Sequence, residues 1–164
     1  MKLFLDANVL FSAAYSPVGN ARSLMAAASE RGFTMLVTDH VLGEAIRNLT
    51  RKAAHALASL EALESWVHVV PAASTITEAA ARALGIVLKD APVLAAAIDC
   101  QADVFVTGDA RHFGHLYGQS VRGVRVLALR AAYEMVAAQR LRPPPSPSPS
   151  PSPSPSPARG RGPG

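Results

Sequence analysis

The chain has 164 residues, of which 49% are hydrophobic and 5% aromatic, and its 16 basic and 12 acidic residues give a net charge of +4. This length suits one domain, with a core built from Ala, Val, Leu and Ile because aromatic residues are few. The lone Cys100 excludes an intramolecular disulfide and a multi-cysteine zinc site. There is no run of about 20 apolar residues and no secretory leader pattern, so we expect a cytoplasmic protein with no membrane partner.

Short β-branched apolar runs alternate with alanine-rich helical stretches along most of the chain. Strands are predicted at residues 2–5, 33–37, 66–70, 104–106 and 124–127. Residues 6–17 are predicted to turn. Helices are predicted at residues 21–31, 39–64 (which can break near 48–50), 75–85 (opened by a capping box at Thr75 and Glu78), 90–100 and 128–140. The alternation predicts a three-layer α/β/α fold around a central parallel sheet of about five strands.

The composition changes abruptly after residue 141. Residues 142–164 hold ten of the thirteen prolines, alternate Pro with Ser, and end in an Arg/Gly run. Proline fixes φ and removes a backbone donor, so this segment cannot join a helix or a sheet. We therefore predict one domain at 1–141 and a disordered Pro/Ser and Arg/Gly tail at 142–164.

Net charge alone does not identify a phosphate-binding surface, because residues 1–141 carry 13 basic and 12 acidic residues. Such a surface must come from uneven distribution. Residues 111–130 contain no acid and four arginines, which form the candidate patch: Arg111, Arg122, Arg125 and Arg130.

Four carboxylates stand at the ends or beginnings of predicted elements: Asp6, Glu44, Asp90 and Asp109. Asp6 ends the first strand and Asp109 follows the fourth, so both fall on the edge of a parallel sheet where ligands bind. Asp90 opens a helix, whose positive pole favours a carboxylate, and Glu44 lies early in a helix that starts from the same edge. Convergent carboxylates repel one another unless they bind cations, and oxygen ligands suit Mg²⁺ or Mn²⁺. The four acids together predict a metal-dependent nuclease.

Each acid also has a local explanation that requires no metal. Asp90 can be a helix N-cap, and Asp6 with Asn8 can form an Asx turn. Asp109 can be a turn residue and Glu44 a solvated helix residue. The order and placement of the four acids together, not any single one, indicates a site.

Two stretches resemble the PIN-domain ribonucleases, particularly the VapC-like branch described as toxin components of toxin–antitoxin pairs. LFLDANVLFSA is similar to the first motif of that family, a strand ending in Asp with a small polar residue two positions on. KDAPVLAAAIDCQADVFVTGDARHF is similar to its third and fourth motifs. Together the two stretches cover about 35 residues, and the order of elements matches through about residue 140.

The resemblance implies roles for particular residues. The implied catalytic and metal-binding acids, with Mg²⁺ or Mn²⁺ as the ion, are Asp6, Glu44, Asp90 and Asp109. Asn8 and Thr107 are implied to orient these carboxylates. Many toxin-type members carry an acid just after the fourth motif, where this chain has Arg111 and His112. Those two residues are candidates for contacting phosphate instead, and whether one ion or two is bound stays open.

The resemblance also implies partners. The implied substrate is RNA exposed in loops. Proteins recognise the sequence of such unpaired bases more easily than that of duplex RNA. A cognate antitoxin protein that blocks the acidic cleft is implied, and so is a homodimer.

Two other functions are compatible with the chain. A haloacid-dehalogenase-type phosphohydrolase also opens with a strand followed by Asp, but it requires a second acid two residues later, where this chain has Asn8. A catalytically weak PIN-like module that binds RNA or protein is the second alternative. Failure of Mn²⁺ to raise the melting temperature would separate that module from a nuclease.

Overall fold

A computed structural model describes residues 1–139 and Gly162. Its strands are β1 (Lys2–Leu5), β2 (Thr34–Val37), β3 (Val67–Val69), β4 (Val104–Thr107), β5 (Ser120–Val121) and β6 (Val124–Ala128). All five predicted strands are present within one residue of their predicted ends. The sixth strand, β5, is only two residues long and escaped prediction because a pattern of alternation cannot be read from so short a run.

The strands form one sheet in the order β3-β2-β1-β4-β6-β5. Every pair is parallel except β5 with β6, so the prediction of a central parallel sheet in an α/β fold is confirmed. β1 and β4 are neighbours in the middle, with Leu5 opposite Val106. The backbone N of Asp6 continues the ladder by donating to Val106 O at 3.1 Å. The residues that follow β1 and β4 therefore emerge side by side at the carboxyl edge of the sheet.

Eight helices flank this sheet in the described part of the chain. They are α1 (Ala7–Tyr15), α2 (Asn20–Glu30), α3 (Asp39–Lys52), α4 (Leu57–Glu64), α5 (Thr75–Arg82), α6 (Ala91–Asp99), α7 (Ala110–Phe113) and α8 (Leu129–Ala138). α1 packs on α2, α3 and α4, while α2 packs on α8 and α5 on α6. Two 3₁₀ turns, Ala54–Ala56 and Gly114–Leu116, complete the regular structure.

The helix α1 corrects the prediction of a turn at residues 6–17. Asp6 caps this helix, its Oδ1 accepting from Ala7 N at 2.7 Å, and apolar residues of the segment are buried along one side. The cap and the alanine-rich composition are ordinary helix signals, which the nearby Asn8 and Pro17 obscured. The predicted helix at 39–64 also divides, but it does so at Ala53 and not near residues 48–50.

Other helix ends shift by small amounts. The cap of α5 is Ser74, whose hydroxyl accepts from Thr77 N, so the capping box predicted at Thr75 is displaced by one residue. Glu78, its predicted partner, pairs with Arg82 instead. These shifts leave the element order unchanged.

The core is more aromatic than the composition suggested. Phe4, Phe105 and Phe113 are among its largest fully buried side chains, so aliphatic residues do not fill the core alone. Of the isoleucines in the described residues, Ile86 is the one that is buried. The Phe105 and Phe113 rings meet edge to face at a centroid distance of 5.1 Å. This contact fixes the short helix α7 on β4, immediately beside the carboxyl edge.

The candidate arginine patch at residues 111–130 is divided by the fold. Arg125 pairs with Val104 at the beginning of β4, and Arg122 lies in the turn between β5 and β6 beside Asp103. Both are therefore at the amino edge of the sheet. Arg111 lies at the opposite, carboxyl edge, so the prediction of one continuous patch is wrong.

The predicted tail and the boundary at 141/142 lie outside the described residues, as does Arg140, the predicted last residue of α8. Among the helices of residues 1–139, none has the length and apolar character needed to cross a membrane.

Candidate metal centre

Asp6 is the most deeply buried of the predicted acids. Its Oδ2 accepts from Thr107 Oγ1 at 2.6 Å and from Asn8 Nδ2 at 2.7 Å. Asn8 Oδ1 in turn accepts from Gly108 N at 2.8 Å, which settles the orientation of the amide. A Cβ on Gly108 would lie 3.2 Å from that oxygen, so glycine allows the close approach. The structure thus places the two predicted orienting residues, Asn8 and Thr107, in direct contact with Asp6.

Asp6 is 7% exposed. Burial raises its pKa to about 6, and hydrogen bonds from Thr107 and Ala7 only partly oppose this effect. The negative charges of Glu44 and Asp90 raise the pKa further. The site concentrates negative charge where water is largely excluded, and this favours a cation.

Asp90, Asp109 and His112 form a compact cluster beside Asp6. One ligand atom from each lies within 4.8 Å of the others. His112 Nδ1 is 2.7 Å from Asp109 Oδ2 and 3.0 Å from Asp90 Oδ2. Nδ1 carries at most one hydrogen, which the shorter contact takes, so Asp90 Oδ2 is buried without a hydrogen-bond partner among the described residues. Asp90 also makes no side-chain cap on α6, so capping does not explain this residue.

The pKa values of the two carboxylates in the cluster shift in opposite directions. Burial raises the pKa of Asp90, against the positive charges of Lys89 and His112, and the negative charges of Asp109 and Glu44 raise it further. Burial also acts on Asp109, but its bonds from the His112 side chain and from the backbone of His112 and Arg111 leave its pKa lowered. Hydrogen bonds therefore stabilise the ionised form of Asp109, while in the described part of the chain no hydrogen bond offsets the cost of burying the charge of Asp90.

Glu44 completes the predicted set at a greater distance. It lies on the wall of a cleft that Asp90 also lines, and its charge acts on both Asp6 and Asp90. In the described ranges, neither Asp6 nor Glu44 has a ligand atom within 4.8 Å of those of Asp90, Asp109 and His112 together. The structure thus brings all four acids to one region, with Asp90 and Asp109 in closest association.

The donor set fits a divalent cation. Two carboxylates and an imidazole converge, and the partnerless Asp90 Oδ2 is the kind of buried oxygen that a metal ion would satisfy. Carboxylate oxygens suit Mg²⁺ and Mn²⁺, and a histidine nitrogen is compatible with Mn²⁺.

A cleft of about 540 Å³ opens beside the cluster and supplies cations that the sequence interpretation missed. Glu44, Arg47 and Arg51 line its α3 wall, and Lys89 faces them next to Asp90. The signal was present in the spacing, because residues three and seven positions after Glu44 share its face of the helix. Arg111, the predicted phosphate contact, is exposed at the beginning of α7, where its backbone N donates to Asp109 Oδ1 at 3.1 Å.

Tyr117 was also missed. Its hydroxyl donates to Thr107 O at 3.2 Å. Burial raises the pKa of Tyr117, and the charges of Asp109 and Asp6 raise it further, so the phenol lies within the field of the site. A single tyrosine ten residues after Thr107 carried no pattern from which this position could be predicted.

Comparison with known proteins identifies the fold and the family of the chain. The fold is similar to a crystal structure of VapBC2 from Rickettsia felis bound to a DNA fragment from their promoter, with a TM-score of 0.62 and 17% identity over 78% of this chain and 98% of that chain. It is also similar to PAE2754 from Pyrobaculum aerophilum, with a TM-score of 0.61 and 19% identity over 85% and 100% of the two chains. No curated protein matches the chain by sequence. A family model described as PIN domain matches residues 2–111, which include all four acids, and the chain therefore belongs to the PIN-domain family.

Proposed function

We propose that the protein is a metal-dependent endoribonuclease of the cytoplasm, acting as the toxin of a toxin–antitoxin pair. It hydrolyses RNA phosphodiester bonds with Mg²⁺ or Mn²⁺ held by the acidic cluster. The observation that carries the proposal is the convergence of Asp90, Asp109 and His112 beside the buried Asp6. Membership of the PIN-domain family supports nuclease activity.

The residues divide the chemistry among them. A divalent ion held there would lower the pKa of a bound water and neutralise charge on the phosphate. Asp90 and Asp109 are proposed to hold that ion, and Asp6 adds the negative charge that attracts it. Asn8 and Thr107 keep the Asp6 carboxylate in place through the bonds described above. Glu44, on the cleft wall, is proposed to take a proton from the attacking water.

The cleft supports a nucleic-acid substrate. Arg47, Arg51 and Lys89 line it directly beside two of the acids. Cations there can contact the phosphates on either side of the scissile bond and offset the repulsion between the acids and the RNA backbone. The cleft is thus proposed to hold an RNA strand that is exposed in a loop. Arg111, at the same edge of the sheet, is a further candidate for phosphate contact.

A cognate antitoxin is the proposed protein partner. Two observations support this partner: the resemblance of the motifs to the VapC-like branch and the likeness of the fold to VapBC2. A segment that places a cation at the acidic cluster would block the site. A homodimer is proposed on the resemblance alone.

The test is an RNA-cleavage time course with purified protein in Mg²⁺, Mn²⁺ or EDTA, with Asp109→Asn alongside. We expect metal-dependent cleavage that the variant loses, because the variant removes one of the two carboxylates of the cluster. The matched control is Asp39→Asn, which neutralises an exposed acid at the beginning of α3 and should cleave normally. Cleavage that survives EDTA or the Asp109 variant would contradict the assignment.

The alternative of a catalytically weak module has one supporting observation. Both oxygens of Asp109 already accept hydrogen bonds, from Arg111 N and His112 N and from the His112 ring. RNA binding without cleavage in any metal would favour that module. The phosphohydrolase alternative is not retained, because the family is PIN and because Asp6, its required nucleophile, is buried with both oxygens bonded.

A further inference from the structure

We infer that His112 is a metal ligand through Nδ1, and that this nitrogen makes the site prefer Mn²⁺ over Mg²⁺. The inference deepens the proposed function, because it rests on the metal site proposed there. It reassigns His112 from a candidate phosphate contact to a residue that determines which ion is bound.

The distances around His112 match those between neighbouring ligands of one ion. Nδ1 lies 2.7 Å from Asp109 Oδ2 and 3.0 Å from Asp90 Oδ2. Adjacent ligands of an octahedral ion at about 2.1 Å are about 3.0 Å apart, by simple geometry. Contact with a phosphate alone does not account for a ring nitrogen that lies between two carboxylates.

The position of the imidazole is determined by its surroundings. Asp109 Oδ1 accepts from His112 N at 3.1 Å and so holds the backbone of α7. The next residue, Phe113, is fully buried against Phe105. The His112 side chain is itself only 18% exposed. The backbone bond to Asp109 and the packing of Phe113 therefore hold this part of α7 so that the ring lies between Asp90 and Asp109.

The oxygen Asp90 Oδ2, unpaired among the residues that the structure describes, favours a set of metal ligands over an ion pair that is complete without a metal. If His112 served only as a counter-charge, its single Nδ1 hydrogen would satisfy Asp109 and leave Asp90 Oδ2 buried without a partner, as observed among the described residues. One ion placed between the three side chains would satisfy both carboxylates and the ring nitrogen together. The combination of one nitrogen and two oxygens suits Mn²⁺ better than Mg²⁺, which prefers oxygen ligands throughout.

The direct test is pulsed electron paramagnetic resonance of Mn²⁺ bound to the full chain. We expect nitrogen hyperfine coupling from an imidazole, which His112→Ala and the bulkier His112→Gln both lose. The matched control is His115→Ala, three residues along, whose ring contacts Leu84 O outside the cluster and whose loss should leave the coupling intact.

Calorimetric titration with Mn²⁺ and Mg²⁺ gives the second readout. The affinity for Mn²⁺ should fall at least about tenfold in His112→Ala, the lower end of the loss seen when even an outer partner of a metal ligand is removed, and the affinity for Mg²⁺ should fall less. His112→Asp should shift the preference towards Mg²⁺, because it replaces nitrogen by oxygen. Melting curves of the variants without metal identify any that fail to fold, and the wild-type spectrum does not depend on a variant.

The outcomes separate this inference from the proposed function. Mn²⁺ bound without nitrogen coupling, or coupling retained in both His112 variants, overturns the inference and leaves the nuclease standing. Nitrogen coupling that depends on His112, in a protein that cleaves no RNA, supports the inference and contradicts the nuclease. Absence of Mn²⁺ binding overturns both.

Discussion

Replacement of Asp6 by Asn should stabilise the metal-free protein at neutral pH while abolishing its activity. Asp6 has a pKa of about 6 in the folded protein, against an ordinary value of 3.8. The folded state therefore holds its proton more tightly than the unfolded state does. The free energy of unfolding falls as the pH rises through the window from about 4 to about 6, and stays low above it.

The magnitude follows from the same two pKa values and from the contacts of Asp6. Ionisation of Asp6 costs about 3 kcal/mol of folding free energy at neutral pH. Asparagine avoids that cost and keeps the bond from Ala7 N, but an amide nitrogen in place of Oδ2 would face the donors Thr107 Oγ1 and Asn8 Nδ2. Disturbing these two bonds costs about 1 to 2 kcal/mol. The net gain of about 1 to 2 kcal/mol raises the melting temperature by about 3 to 8 °C for a domain of this size.

The assay is thermal unfolding of wild type and Asp6→Asn in EDTA at several pH values. We expect the variant to melt higher at neutral pH, and the difference to disappear or reverse at about pH 4, where the wild-type carboxyl is protonated in the fold. Mn²⁺ should raise the melting temperature of wild type more than that of the variant. Equal melting temperatures at neutral pH, or a gap that persists unchanged in acid, would refute the reasoning.

Two further predictions concern the support of Asp6 and the cleft. Gly108→Ala should weaken Mn²⁺ binding by up to about tenfold, because a Cβ there would lie 3.2 Å from Asn8 Oδ1; Gly114→Ala, whose Cβ would meet only ordinary contacts, is the control in the same titration. Equal Mn²⁺ affinities in the two variants would argue against a role for the Asn8 bond. Arg51→Ala should weaken RNA binding at low salt and reduce the log–log salt slope by about 0.7, the value for one single-strand phosphate contact; binding can be measured in the Asp109→Asn background. Arg125→Ala, at the opposite, amino edge of the sheet, is the matched loss of charge, and an equal effect from it would show that the cleft is not the binding surface.

The placement of the acids at the ends of strands and helices was predictable because element ends follow local sequence rules. Asp6 directly follows an apolar strand and Asp109 follows another, and parallel strands deliver their carboxyl ends to one edge. The same rules predicted five strands and the α/β class. The helix α1 was within reach of those rules, since Asp6 caps it and alanines fill it, although its polar residues favoured a turn interpretation.

The contacts that characterise the site depend on packing between segments far apart in the chain. Asp90 and His112 meet because α6 and α7 both begin at the carboxyl edge and because Phe113 anchors α7 on Phe105. No spacing in the sequence encodes a contact that depends on where two helices pack. The pKa of Asp6 likewise depends on its burial in the folded chain, which a residue type alone does not specify.

The arginines show the same division between local and tertiary information. A run without acids at residues 111–130 suggested one basic surface, but the parallel pairing of β6 with β4 carries Arg125 to the amino edge, away from Arg111. The cleft instead takes its cations from α3 and from Lys89, which come together only in the folded chain. Local sequence indicated which acids stand at strand and helix ends, because apolar runs and capping residues mark those ends. Which side chains face one another followed only from the fold, because such contacts depend on the packing of elements that are distant in the chain.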